Sequence, residues 1–80
     1  MAMPETVLVE VKLFSVFRSG RFASKKVRLT APSTASDLLA KLEIPEEDVG
    51  VLMINGRDGT LRQRLADGDR VTLIPSIGGG

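Results

Sequence analysis

The sequence of 80 residues contains no cysteine, histidine, tyrosine or tryptophan. Disulfides and thiolate metal sites are therefore excluded, and so are the commonest nucleophile, general base and stacking side chains. A Ser-Lys or paired-carboxylate site would need a buried pocket, for which so short a chain has little material. We therefore do not expect a self-contained enzyme, and we expect this chain to bind no metal and no cofactor.

Long hydrophobic runs and targeting signals are also missing. No apolar stretch approaches the roughly 20 residues of a membrane span, and the start Met-Ala-Met-Pro-Glu lacks the basic and apolar regions of a signal peptide. The residues that are present, 42% hydrophobic and 26% charged, are typical of a soluble globular domain. We expect a single small domain in the cytoplasm, with no membrane partner.

Charge is distributed unevenly, although the net charge is only +1. Residues 1–30 carry six basic and two acidic groups, whereas residues 31–80 carry five basic and eight acidic groups. The basic cluster has no intervening acid and one aromatic residue, Phe22, which disfavours nucleic-acid binding. We expect solvated loop charge from its members: Arg18, Arg21, Lys25, Lys26 and Arg28.

The first half of the chain predicts a β-hairpin followed by a helix. Val7–Phe14 alternates apolar and polar residues, and Lys25–Thr30 alternates again after a long connection over residues 15–24. Ser33 or Thr34 can cap a helix that has Asp37 near its positive end. Pro45 marks the end of this segment. The helix carries one buried stripe at i, i+3, i+4, i+7 spacing: Ala35, Leu38, Leu39 and Leu42.

The second half predicts two further strands. Val51–Ile54 is a continuous apolar run before an Asn-Gly turn, which indicates a central strand covered on both faces. Residues 57–65 are irregular, with Leu61 and Leu65 as core anchors. An Asp67-Gly68-Asp69 turn precedes the last strand, Arg70–Pro75, in which Val71 and Leu73 point inward while Thr72 and Ile74 point outward.

This order of elements predicts an α+β fold: a mixed sheet of four to five strands with one main helix packed across it. Such an arrangement is the β-grasp roll of ubiquitin-like proteins. We assign residues 1–75 to this domain and residues 76–80 to a flexible glycine-rich tail.

The tail reads Ser76-Ile77-Gly78-Gly79-Gly80 and carries no charged side chain. Five extended residues reach about 17 Å, and glycines pass where a Cβ atom would collide. This geometry suits delivery of the Gly80 carboxylate into a partner's tunnel. The alternative interpretation is a frayed terminus without a function.

These residues resemble the MoaD/ThiS family of ubiquitin-like sulfur carriers over nearly the whole chain. The resemblance is strongest in the Asp67-Gly68-Asp69 turn, the strand after it, and the ending Ile74-Pro75-Ser76-Ile77-Gly78-Gly79-Gly80. Val11–Arg18 also looks like the first strand and following segment of the small subunit of molybdopterin synthase.

The resemblance implies that a ubiquitin-activating-type adenylating enzyme, using ATP and Mg²⁺, activates the Gly80 carboxylate. A sulfur donor then replaces AMP and leaves a thiocarboxylate. Gly78 and Gly79 give clearance, and the partner-binding residues are expected to be Ile74, Pro75, Ile77 and Phe14, although Phe14 could instead be ordinary core edge.

The long connection after the first strand favours the molybdopterin branch, in which the tail enters a large subunit of molybdopterin synthase. The alternatives are sulfur transfer to thiamin thiazole, a tungsten-pterin or other sulfur-transfer pathway, and a non-catalytic ubiquitin-like interaction module.

Overall fold

The structure, a computed structural model, describes residues 5–76. Within this range the chain forms one α-helix, five strands and two short 3₁₀ turns, at Ser15–Arg18 and Glu46–Asp48. The strands and helix are β1 (Thr6–Leu13), β2 (Ser24–Thr30), α1 (Ala35–Leu42), β3 (Val49–Ile54), β4 (Arg57–Asp58) and β5 (Arg70–Pro75). None of the helices in residues 5–76 is long and apolar enough to cross a membrane.

The sheet has the order β2-β1-β5-β3-β4. β1 and β5 run parallel at its centre, and the other neighbouring strands are antiparallel. The predicted α+β fold with a mixed sheet and one helix is therefore confirmed, with five strands. The predicted hairpin of the first two strands is confirmed as well, because Val9 pairs with Val27 and Thr6 with Thr30.

Helix α1 begins where the sequence predicts. Thr34 is its N-cap, and the Thr34 side chain and the Asp37 carboxylate bond reciprocally to each other's backbone N–H. The helix ends at Glu43, which takes the left-handed conformation with φ 58°. Ala35, Leu38 and Leu39 are fully buried, as the stripe predicts, and Leu42 is partly buried against the same core.

The core lies between this helix and one face of the sheet. The inward residues of β1 and β5 are fully inaccessible, as the period-2 alternation predicts: Val9, Val11, Leu13, Val71 and Leu73. Phe17, from the 3₁₀ turn after β1, and Leu65 also join this core, while Leu61 packs at its margin. The connection after β1 is therefore anchored by a buried aromatic residue.

The prediction that Val51–Ile54 forms a central strand covered on both faces is wrong. β5 occupies the centre, and β3 lies between β5 and the two-residue strand β4. Val51 is 38% exposed, and Leu52 and Met53 are only partly buried. The run alternates after all, because Leu52 and Ile54 pair with the inward Leu73 and Val71. Val51 and Met53 therefore lie on the outer face, away from the helix.

Arg21 binds the end of helix α1 instead of simply facing water. Its guanidinium donates to the carbonyl oxygens of Leu42 (3.0 Å), Glu43 (3.0 Å) and Phe17 (3.2 Å). Carbonyl groups at a helix C-terminus have no partner within the helix and carry its negative dipole end, so a cation there is favourable. The connection between β1 and β2 is thereby tied to the helix.

Candidate functional site

The candidate site is the point at which the chain leaves β5. Pro75 is buried and pairs with Val49, and the Ser76 N–H then donates to the carbonyl oxygen of Asp48 at 2.8 Å. Asp48 ends the acidic 3₁₀ turn at Glu46–Asp48. The backbone is therefore fixed as far as Ser76, beside a turn of exposed carboxylates.

Gly50 makes this exit possible. The register of β3 against β5 shifts between Val49 and Val51, which leaves Gly50 facing the last described residues. A Cβ atom at Gly50 would lie 2.8 Å from Ser76 Cα and 3.0 Å from the Pro75 carbonyl oxygen. Since both contacts are with backbone, any larger residue would have to displace the chain as it leaves the sheet.

Three apolar residues form one row across the outer face at this exit, and we call them the apolar row: Phe14, Ile74 and Val51. Val51 pairs with Ile74, and Leu13 pairs with Leu73, so the next position, Phe14, comes level with Ile74. Phe14 has extended backbone and its N–H donates to the Leu73 carbonyl oxygen at 3.2 Å. Phe14 and Val51 are each 38% exposed, and Ile74 is partly buried between them.

Arg18 fixes one end of the apolar row. Its guanidinium carbon lies 5.4 Å from the centre of the Phe14 ring, and its Nε donates to the Leu13 carbonyl oxygen at 2.7 Å. The cation–π contact and the hydrogen bond hold the guanidinium over the ring. A partner that approaches the exit therefore meets apolar side chains bordered by a positive charge.

The opposite end of β5 is closed by polar side chains. The Asp69 carboxylate accepts from the Ala66 N–H (2.8 Å) and from the Asn55 side-chain amide (2.9 Å). The Asn55 side-chain oxygen accepts from the Arg70 N–H (2.9 Å), and the Asp67 carboxylate accepts from the Leu8 N–H (2.8 Å). The predicted Asp67-Gly68-Asp69 turn therefore connects β1, β3 and β5 at this end of the sheet.

Of the predicted site residues, Ile77, Gly78, Gly79 and Gly80 lie outside the described range. The structure brings Phe14, Ile74 and Pro75 together at one end of the sheet. Pro75 is buried in strand pairing, whereas Phe14 and Ile74 line the outer face. Three contributors to this site were not predicted from the sequence: Gly50, Val51 and Arg18. Alternation within β3, taken with its pairing to Ile74, would have revealed Val51.

Among residues 5–76 no group of three or more acidic residues is arranged to hold a metal ion. The arrangement can hold the backbone at a defined position where the chain leaves β5, and it offers an apolar surface beside that position.

The sequence from residue 11 to residue 80 matches the ThiS family. The chain belongs to the ThiS family. It is therefore a ubiquitin-like protein of the MoaD/ThiS sulfur-carrier type, and the matched residues include the glycine-rich ending. No protein with a curated description matches the sequence significantly.

Solved structures show the same fold. A putative molybdopterin converting factor subunit 1 from Pyrococcus furiosus is 26% identical, with 89% of this chain and 99% of that chain covered and a TM-score of 0.74. Subunit 1 in the complex of subunits 1 and 2 of molybdopterin-converting factor from Helicobacter pylori is 25% identical, with 92% and 100% covered and a TM-score of 0.58.

The fold is also that of a small archaeal modifier protein of Haloferax volcanii. That protein is 21% identical, with 89% of this chain and 99% of that chain covered and a TM-score of 0.72. Such identity shows a shared fold alone. The β-grasp arrangement predicted from the element order is confirmed by these structures.

Proposed function

We propose that this chain carries sulfur as a thiocarboxylate on Gly80 and donates it in the biosynthesis of molybdopterin, the pterin of the molybdenum or tungsten cofactor. The observation that carries the proposal is the family match over residues 11–80, a range that includes Gly78, Gly79 and Gly80. The exit supports it, since the bond from the Ser76 N–H to the Asp48 carbonyl oxygen fixes the backbone at Ser76 beside the apolar row.

The chemistry follows from the reactivity of a carboxylate. A Gly80 carboxylate oxygen attacks the α-phosphorus of ATP, pyrophosphate leaves, and the resulting acyl-adenylate has AMP as a good leaving group. Hydrosulfide supplied by a sulfur donor then forms a bond to the carbonyl carbon as the bond to AMP breaks, which leaves the thiocarboxylate, AMP and a proton. ATP, Mg²⁺ and the residues that catalyse these steps belong to an adenylating partner of the ubiquitin-activating type.

The molybdopterin branch is supported by two observations. The structure from Helicobacter pylori is a complex between subunits 1 and 2 of molybdopterin-converting factor, and its subunit 1 covers almost the whole of this chain. The connection between β1 and β2 is long and contributes Phe17 to the core. We propose a large subunit of molybdopterin synthase as the acceptor of the tail.

Removal of Gly79 and Gly80 tests the proposal. The truncated protein is expected to keep its fold, measured by an ¹H–¹⁵N correlation spectrum, and to lose ATP–pyrophosphate exchange with the adenylating enzyme. Removal of Met1 and Ala2 is the matched control and should leave exchange unchanged. Undiminished exchange after loss of the two glycines would refute activation at Gly80.

The branch is tested separately with the thiocarboxylated protein. Mixed with a molybdopterin synthase large subunit and its pterin precursor, it is expected to yield a dithiolene product. Sulfur delivery to a thiazole synthase instead would assign the chain to thiamin synthesis and leave the activation of Gly80 intact.

A further inference from the structure

Strand β2 lies at one edge of the described sheet, and the side of β2 that is away from β1 carries unpaired backbone groups. The Leu13 N–H bonds to the Ala23 carbonyl, and the Ala31 N–H bonds to the Glu5 carbonyl. Hydrogen-bonded pairs in an antiparallel ladder recur at every second residue. The backbone N–H and C=O groups of Lys25, Val27 and Leu29 therefore point toward β1. The N–H and C=O groups of Ser24, Lys26 and Arg28 therefore face away from the sheet.

Thr30 shows that this side of β2 accepts hydrogen bonds. Its carbonyl oxygen, which also faces away from β1, accepts from the Ser33 hydroxyl. Lys26 and Arg28 have no such local partner for their backbone groups among residues 5–76. A second strand could reach these groups without disturbing the existing ladder.

A cleft of about 340 Å³ runs along this edge, between β2 and the end of helix α1. Phe22, Val27 and Leu42 give it an apolar floor. Its remaining lining residues are all cationic: Lys25, Lys26, Arg28 and Lys41. The Lys25 ammonium lies 5.8 Å from the centre of the Phe22 ring, and the Arg28 guanidinium is bonded to the Thr6 hydroxyl.

We propose that this edge and cleft bind an extended acidic segment of a partner protein, which adds to the sheet as a sixth strand. Side chains of an added strand alternate between the two faces. Acidic side chains on one face meet Lys26 and Arg28, which point to the outer face, while aliphatic side chains on the other face meet Val27 and Leu42.

Charge repulsion excludes the simplest alternative occupant of this edge, which is a second copy of this protein. A second copy of β2 would bring its own Lys26 and Arg28 against the same residues, and edge lysines are a common defence against such pairing. An acidic strand removes that repulsion. The surface is separated from β5 by β1, so the proposal is independent of the chemistry at Gly80.

An acetylated and amidated peptide, Glu-Val-Asp-Ile-Glu-Val-Asp, is the probe. Titrated into the labelled protein at low salt, it is expected to shift the amide signals of Lys26 and Arg28 most, and to slow their hydrogen exchange. The double variant Lys26→Glu/Arg28→Glu should weaken binding by about tenfold or more. The control Arg57→Glu/Arg62→Glu changes the net charge equally on the far edge and should bind as the unmodified protein does.

Two N-methylated peptides test strand addition directly. One carries methyl groups on the nitrogens of its two central acidic residues, and the other on those of its two valines. Because alternate N–H groups of a strand point to opposite sides, only one peptide loses its bonds to β2, and it should bind at least about tenfold more weakly. Equal binding of the two would overturn the proposal.

The same titration with a twelve-nucleotide oligouridylate addresses the other use of a basic surface. Binding of the oligonucleotide is expected to be weaker than that of the acidic peptide. Tighter binding that is lost in Lys26→Glu/Arg28→Glu would make the surface a nucleic-acid site and would overturn the proposal.

Discussion

The two ends of strand β5 are built differently. At the start, the side chains of Asn55, Asp67 and Asp69 accept hydrogen bonds from backbone N–H groups of β1, of β5 and of the turn before β5, and the Asn55 amide donates to the Asp69 carboxylate. At the end, Ser76 makes one backbone bond to Asp48, and the neighbouring side chains on the outer face are apolar.

We therefore assign stability of the fold to the start of β5 and delivery of the tail to partners to its end. Hydrogen bonds that backbone N–H groups donate to a carboxylate are among the stronger ones in a folded protein, so the start of β5 holds the parallel pair together. The end of β5 fixes the backbone only as far as Ser76. Substitutions at the start should therefore reduce the free energy of unfolding, whereas those at the end should chiefly affect partner reactions.

Replacement of Asp69 by alanine is expected to have the largest effect on stability. It removes two hydrogen bonds and leaves the Ala66 N–H and the Asn55 amide without their acceptor, at a cost of about 2–3 kcal/mol. Urea unfolding measures the change. Asp58→Ala, an exposed residue of β4, is the control and should change the free energy of unfolding by about 0.5 kcal/mol or less.

Replacement of Gly50 by alanine should move the exit. The new Cβ atom must displace Ser76 and Pro75, which costs about 1–3 kcal/mol and misdirects the tail. We expect a large shift of the Ser76 amide signal and a raised KM of the adenylating enzyme for this protein. In Gly59→Ala the new Cβ meets the buried Ile54 side chain and not the backbone at Ser76, so a KM raised equally there would contradict the account.

The apolar row is tested by comparing the effect of a charge placed within it with that of a charge placed at the other end of the outer face. Val51→Asp places a charge beside Ile74 and is expected to weaken the partner complex by about tenfold, with little loss of stability because Val51 is exposed. Leu8→Asp puts the same charge near the Asp67-Gly68-Asp69 turn. Binding calorimetry with the adenylating enzyme should show the larger loss for Val51→Asp, and the reverse order would reject the row as a docking surface.

The smallest expected effect is that of Arg21→Gln. Loss of the bonds to Leu42 and Glu43 should lower the free energy of unfolding by about 1 kcal/mol, since the site is exposed to solvent. Arg62→Gln, also exposed, is the control. Thermal unfolding that does not distinguish the two variants would show that Arg21 contributes no more than solvated charge.

Much of this fold could be predicted because local and global signals agree. Alternation in β1 and β5, the apolar stripe of α1 and the capping pair Thr34 and Asp37 each follow from periodicity or from local hydrogen bonding. The Asn55-Gly56 turn follows in the same way, and both residues have positive φ.

The wrong or missing predictions concern residues whose environment depends on neighbours that are distant in the sequence. Val51 is exposed because it lies on the outer face of β3, beyond the two residues that pair with β4, and the apolar run of β3 does not reveal this pairing. The role of Gly50 depends on a register shift against β5, and that of Arg21 on where α1 ends. The residues of the tail were recognisable from sequence alone because their use depends on composition and on position in the chain.

The intact mass of the protein purified from its own cells tests the central claim most directly. Replacement of one oxygen by sulfur adds about 16 Da, and fragmentation should place the addition within Gly78–Gly80. The account predicts a fraction with this mass that disappears when Gly79 and Gly80 are removed. An unmodified mass, even after incubation with the adenylating enzyme, ATP and a sulfur donor, would contradict it.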